Sequence, residues 1–365
     1  MNIENQKKQS QRLLSIDALR GFDMFFIMGG GLVVIALCNL FPCDFSNAII
    51  KQFEHAQWNG FTIEDMIFPL FLFIAGISFP FSYNKSLDNG LSLTKIRLNI
   101  IKRGIILILL GIAFNNTVRF DFANMRLYSV LGRIGLAWAV AAMLYTFLST
   151  KTRIVIAGVI LLVYWWLLSL GDFSVEKNFV AIVDQKLKLG VLLEKGLFDP
   201  EGLLSTLPAV STAMFGIFAG EIVRNKNFGE YKKVGILLTI ATAMIIVGLI
   251  WSCVLPINKK LWTSSYACFV GGLSYALFGL FYLIIDVLKF RKWTFFFTVI
   301  GVNSITIYLA QRVVPFYKIS DFLFEGTVKL LLPVKYHMFG LTFCFLLTSW
   351  LFLYFLYRRK IFLKI

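Results

Sequence analysis

Long apolar runs, each closed by a short polar or basic break, recur about every 25 to 40 residues along the chain. Most approach the roughly 20 residues that a helix needs to cross about 30 Å of hydrocarbon. They are continuously apolar, where barrel strands would alternate over about ten residues. The pattern predicts ten transmembrane helices, at 21–41, 61–83, 101–116, 127–148, 154–170, 203–223, 234–255, 266–288, 293–311 and 337–357. The expected fold is therefore an all-α polytopic membrane bundle. One integral domain over 1–365 is expected, because no Pro/Gly/Ser-rich linker parts two cores. Two polar interruptions stand out: 171–202, expected as an outer lid or a pair of short helices, and 312–335, expected as re-entrant or interfacial. Met1 to Gln11 is polar and the first apolar run is long enough to remain, so no cleavable signal peptide is expected. No internal repeat is evident, which weighs against an inverted-repeat transporter.

Composition agrees with this pattern. Of 365 residues, 58% are hydrophobic and only 15% charged, too little polar surface to wrap a soluble globule. With the N-terminus taken as cytoplasmic, the inner segments hold 22 of the 36 Lys and Arg residues, among them Lys7, Lys8, Arg12, Arg97, Lys226, Arg358, Arg359 and Lys364. The positive-inside rule then puts both termini in the cytoplasm. The net charge of +16 reads as topology signal and not as a nucleic-acid footprint, although basic inner loops also suit an anionic cofactor. The five cysteines lack metal or C-x-x-C spacing, so no metal site is expected.

The chemistry concentrates in His55-Ala-Gln-Trp58-Asn59-Gly60-Phe-Thr-Ile-Glu64-Asp65, at the mouth of the second apolar run. One of the two histidines sits there beside an indole, an amide and two acids, which supplies a proton acceptor, a stacking face and hydrogen-bond partners. Pro69, just inside the run, is expected to kink the helix and free carbonyls that neighbours must satisfy. Asp17 and Arg20 can pair at i, i+3, either as an interfacial pair or as the wall of an aqueous cavity. Gly29-Gly30-Gly31 beyond them permits close helix approach or a local break. Arg126 and Arg133 fall on nearly one helix face and need anions: internal carboxylates such as Asp17 or Asp65, or ligand phosphates. Asp199-Pro-Glu201-Gly opens the sixth run as a capping sequence. Trp262, Ser264 and Asn303 put stacking and polar groups where lipid would want none, and such groups suit a sugar.

These residues occur in one order: Arg12-x-x-Ser15-x-Asp17-x-x-Arg20-Gly21, His55-x-x-Trp58-Asn59-Gly60 with Asp65 and Phe68-Pro69, Arg126 and Arg133, Asp199-Pro-Glu-Gly-Leu-Leu-Ser-Thr-Leu-Pro208, Lys260-Leu-Trp-Thr-Ser264, and Gly301-x-Asn303-Ser304. Over nearly the whole chain the sequence resembles the heparan-alpha-glucosaminide N-acetyltransferase family, a branch of the transmembrane acyltransferases. It departs from the family pattern in carrying Leu127-Tyr128-Ser129 after Arg126 and Gly132 before Arg133. The resemblance implies transfer of acetyl from cytoplasmic acetyl-CoA to a glucosamine amine across the membrane, with His55 as the catalytic histidine. The chain leaves no room for the animal enzyme's lumenal N-terminal domain, so a small amino sugar or a cell-envelope glycan is the expected acceptor. The expected location is a bacterial inner membrane, and a homodimer is left open.

On this reading His55 accepts the amine proton, or carries the acetyl group itself, while Asp65 or Glu64 orients its ring. Asn59 and Asn303 are candidate donors to the oxyanion. Trp58, Glu64, Trp262, Ser264, Asn303 and Asp17 are candidate sugar contacts. Arg20, Arg97, Lys102, Arg103, Arg126 and Arg133 are candidates for the CoA phosphates. The rival class is a proton-coupled amino-sugar transporter, in which His55 and Asp65 carry protons. A scaffold protein would account for the spans but not for the clustered His, Asp and Arg.

Overall fold

The computed structural model describes residues 13–116 and 124–363. Lys7, Lys8, Arg12 and Lys364, which contribute to the orientation argument and to the first motif, lie outside the described residues. The described chain is helical: α1 (Leu14–Phe25), α2 (Gly31–Cys38), α3 (Asp44–Gln52), α4 (Ile67–Asp88), α5 (Leu93–Asn116), α6 (Val130–Phe147), α7 (Thr150–Leu168) and α8 (Phe179–Leu187). It continues with α9 (Leu203–Arg224), α10 (Glu230–Ser252), α11 (Ser264–Tyr282), α12 (Thr294–Gly301), α13 (Ser304–Val313), α14 (Phe316–Leu331) and α15 (His337–Arg358).

Among the described residues, eight helical stretches are long and apolar enough to span a bilayer, and α12 with α13 makes a ninth that is bent by 66°. The remaining expected span, 101–116, is the last two-thirds of the 24-residue α5. Its first half carries Lys95, Arg97, Lys102 and Arg103, so its apolarity is lower than that of its neighbours. The polypeptide is thus a polytopic membrane protein. Its first span is interrupted where expected: a π-helical turn, Phe26–Gly30, joins α1 to α2, and Gly29 sits at φ 118°, which a residue with a Cβ rarely adopts.

The long central helices pack by bringing backbones together. On α4 and α9, a Cβ on Gly76 would lie 2.3 Å from the Ala213 carbonyl oxygen, and one on Gly216 2.0 Å from that of Phe73. Side chains larger than hydrogen cannot be held at this crossing, and α9 consequently is buried along most of its length. Pro69 does not kink α4. It falls in the first turn, immediately after a 3₁₀ turn at Ile63–Met66, where a missing N–H costs little. The carbonyl four residues before it, that of Asp65, accepts from the Tyr266 hydroxyl at 2.6 Å, so the freed acceptor is satisfied by α11 as anticipated. Residues 171–202 fold over the same end of the bundle as residues 53–66 and carry α8, while 312–335 form the amphipathic α14, whose Phe322 and Leu330 face outward.

Candidate active site

The loop between α3 and α4 is held by three hydrogen bonds. Trp58 Nε1 donates to the Phe173 carbonyl at 2.7 Å, Gly60 N–H donates to the Ile257 carbonyl at 2.8 Å, and Asn258 Nδ2 donates to Asn59 Oδ1 at 3.1 Å. Gly60 takes φ 116° to make that turn. The loop is thereby tied to the segment before α8 and to the α10–α11 connection, and His55 comes to lie beside Lys259 of that connection.

Asp65 organises what lies beneath His55. Its side chain is 1% exposed. Oδ2 accepts from Ala56 N–H at 3.3 Å, from Thr62 N–H at 3.3 Å and from the Thr62 hydroxyl at 3.1 Å. Oδ1 faces His55 Nδ1 at 3.0 Å. A carboxylate held by this many donors keeps the imidazole in one orientation, as a base needs. Lys259, from the α10–α11 connection, completes the cluster. Its Nζ lies 3.1 Å from His55 Nδ1 and 3.2 Å from Asp65 Oδ1. Burial holds the Lys259 ammonium below the usual lysine range, against the opposing pull of Asp65.

His55, Glu64, Lys259 and Glu201 border one cavity of about 230 Å³, whose remaining walls are apolar side chains of α1, α4, α6 and α13. Glu201 comes from the turn before α9. Arg126 clamps the same turn with a bidentate bond to Asp199, 2.7 Å on each arm, and also pairs with Glu201. Burial pushes Glu201 towards protonation, and the paired acids raise Arg126 despite its own desolvation. Arg133 is inside the protein, bonded to the Pro200 carbonyl, the Ser205 hydroxyl and Thr206 Oγ1, with its guanidinium 5.0 Å from the Trp262 ring. The anions that Arg126 meets are thus Asp199 and Glu201, not Asp17 or Asp65, while the hydrogen-bond partners of Arg133 are neutral groups.

Other expected site residues divide by depth. Trp58 and Asn59 brace the loop and do not border the cavity. Trp262 is fully buried with Nε1 donating to Thr212 Oγ1 at 3.3 Å, and Ser264 donates to the Leu161 carbonyl at 2.7 Å, so both act inside the bundle. Asn303 is buried at the α12–α13 break. Asp17 pairs with Arg20 at 3.7 Å at the other end of the bundle, where Arg20 also donates to the Ser78 hydroxyl at 2.9 Å. That end holds a second cavity of about 360 Å³, bordered by Ser82, Tyr83, Ser86, Asn99, Lys102 and Arg103. Arg97 turns away from it, bonded to Thr146 and lying 3.7 Å from the centre of the Phe147 ring. The two cavities share the faces of α4 and α6. Ile134 borders the first and Trp138 the second, one helical turn or about 6 Å further along.

Lys259 and the cavity role of Glu201 were not anticipated. The available signal was the pair Lys259-Lys260, two cations in a loop expected outside, where the positive-inside rule disfavours them. Lys260 finds Glu194 at 2.7 Å, and Lys259 finds Asp65.

No family model matches the sequence. Two curated proteins do. The human heparan-alpha-glucosaminide N-acetyltransferase is 27% identical over 421 aligned positions that take in 97% of this chain and 60% of the human protein. The chain is a relative of this enzyme. The mouse heparan-alpha-glucosaminide N-acetyltransferase is 25% identical over 380 positions, 86% of this chain and 55% of the mouse protein. This relative therefore spans little more than half the length of the proteins it matches.

Proposed function

We propose that the protein is a membrane-embedded N-acetyltransferase that takes acetyl from acetyl-CoA and delivers it to the amine of a glucosamine-type sugar. The observation that carries this reading is the His55–Asp65–Lys259 cluster opening into a cavity that Glu64 and Glu201 also border. The amine nitrogen attacks the thioester carbonyl, the C–N bond forms and the C–S bond breaks. His55 takes the proton that the amine loses, and the departing thiolate takes one in turn. Transfer through an acetylated His55 uses the same contacts in two steps. Glu64 and Glu201 suit an incoming ammonium before it is deprotonated.

The second cavity suits the other substrate. Lys102 and Arg103 offer charge to CoA's phosphates, and Ser82, Ser86 and Asn99 offer hydrogen bonds. Along α4 the rise from Phe68 to Ser82 is about 21 Å, a length comparable to an extended pantetheine arm. In this reading the second cavity faces the cytoplasm, the His55 cavity faces outward, and the segment 171–202 covers the acceptor. A bacterial inner membrane is the proposed setting.

The test is release of free thiol from acetyl-CoA by the purified protein on addition of glucosamine, with N-acetylglucosamine identified as product. A transporter does neither. One observation does favour that second reading: α1–α2 and α12–α13 are both discontinuous, and beside them Asp23, 1% exposed, has two carboxylate oxygens without hydrogen-bond partners among the described residues. Interrupted helices beside a buried acid are a recurring ion site in transporters. Uptake of labelled glucosamine into proteoliposomes without acetylation would support it.

A further inference from the structure

His55, Asp65 and Lys259 form a triangle whose three sides are 3.0, 3.1 and 3.2 Å, and one corner of it is the single nitrogen His55 Nδ1. That nitrogen has one in-plane position, filled by either a proton or a lone pair. Asp65 Oδ1, as a carboxylate oxygen, accepts and so asks for a proton on Nδ1. An ammonium on Lys259 donates and accepts nothing, so it asks for a lone pair there. Both demands cannot be met together. We propose that Lys259 selects the tautomer of His55: as an ammonium it holds the proton on Nε2, and as a neutral amine it releases Nδ1 to Asp65 and turns the Nε2 lone pair towards the cavity.

Proton bookkeeping makes this a gate. In the first state Lys259 is charged, Nδ1 is bare and Nε2–H is a donor that cannot act as a base. In the second, one proton has left the cluster, Nδ1–H donates to Asp65, the Lys259 amine also donates to Asp65, and Nε2 can accept from the substrate amine. The groups facing Lys259 are His55 from the α3–α4 loop, Glu64 and Asp65 from the turn before α4, and Glu201 from the turn before α9. The three acids favour the ammonium. Burial opposes it, and the net displacement of Lys259 is downward, bringing its titration closer to neutral pH. Lys259 is thus a positioning residue. It acts on the reacting proton through His55, and the gate deepens the acetyltransferase reading on which it rests.

The chain contains two histidines, so ¹⁵N-histidine labelling yields two pairs of imidazole nitrogen signals, and His55→Gln identifies the pair of interest. In the unaltered protein the His55 signal should pass from the Nε2–H to the Nδ1–H pattern as the pH is raised and Lys259 loses its proton. Neutral His55 in Lys259→Met should show Nδ1–H throughout, and in Lys259→Arg it should stay Nε2–H. In thiol release, Lys259→Arg should lose on the order of 100-fold in kcat with KM nearly unchanged, as expected for removal of a general base. Lys259→Met should stay active, with the acid limb of its pH profile moved down by about one unit or more. An Nδ1–H pattern at every pH in the unaltered protein, or an acid limb in Lys259→Met that does not move, overturns the proposal. The tautomer measurement needs no turnover, so it decides the role of Lys259 even if the unaltered protein releases no thiol and the acetyltransferase reading falls.

Discussion

At the scale of single residues, the site is built so that one carboxylate does most of the positioning. Asp65 spends Oδ2 on the backbone and hydroxyl of its own loop and Oδ1 on His55 and Lys259. His55 itself remains 60% exposed in its side chain, free to meet a substrate. His55→Ala should therefore abolish thiol release while leaving the melting temperature and acetyl-CoA binding nearly as they were. Full turnover with an unchanged pH profile removes His55 from the mechanism. Arg126 is the opposite kind of residue, tied on both arms to an acid that is 0% exposed. Arg126→Leu should cost about 3 kcal/mol, because it strands Asp199. Adding Asp199→Asn should recover most of that loss, with Glu201 taking up a proton. If instead Arg126→Leu melts normally and binds acetyl-CoA poorly, the arginine is a ligand contact.

At the scale of elements, α8 and the turn before α9 form a fastening over the cavity. Asp184 on α8 is buried and accepts from Asp199 N–H at 3.0 Å, while Asp199 holds Arg126. Burial raises Asp184 to about 6, opposed by the Asp199 N–H bond and helped by the Asp199 carboxylate. The unfolded carboxyl titrates near 3.9, so between about pH 4 and about pH 6 the folded state binds more protons and loses stability as pH rises. Asp184→Asn keeps the acceptor and removes the titration. The melting temperature should decline less across that window in the variant than in the parent protein, and equal slopes would show that this carboxyl does not couple to folding. Pro69 illustrates how an element is completed from elsewhere: its missing N–H belongs to α4, whereas the hydroxyl that satisfies the freed carbonyl belongs to α11.

At the scale of the whole molecule, the two cavities lie toward opposite ends of the same helices, the placement that the proposed transfer across a membrane would need. Orientation is the remaining variable. With Cys43 and Cys253, both exposed, first changed to Ser, a cysteine at Lys186 should react with an impermeant reagent in intact cells. One at Lys226 should react after permeabilisation. The reverse pattern inverts the topology and puts His55 on the cytoplasmic face.

Much of this was legible in the chain itself. Continuous apolar runs oblige the backbone to satisfy its own hydrogen bonds, so helices and their approximate ends follow from composition alone. The His55–Asp65 pair was readable for the same local reason, since ten residues joined by a turn cannot place the two far apart. Gly29 likewise announced the break it makes. Lys259 could not be found this way. It lies 204 positions from His55, and whether a lysine points at lipid headgroups or at a buried acid depends on which loops are packed together. Arg126 shows the same limit: a cation in a membrane needs an anion, but sequence offers several. Asp199 becomes the partner because α6 and α9 pack in contact and bring their preceding turns to one end of the bundle. Short-range chemistry is set by covalent proximity, whereas a pair separated by two hundred residues exists only once the bundle has closed around it.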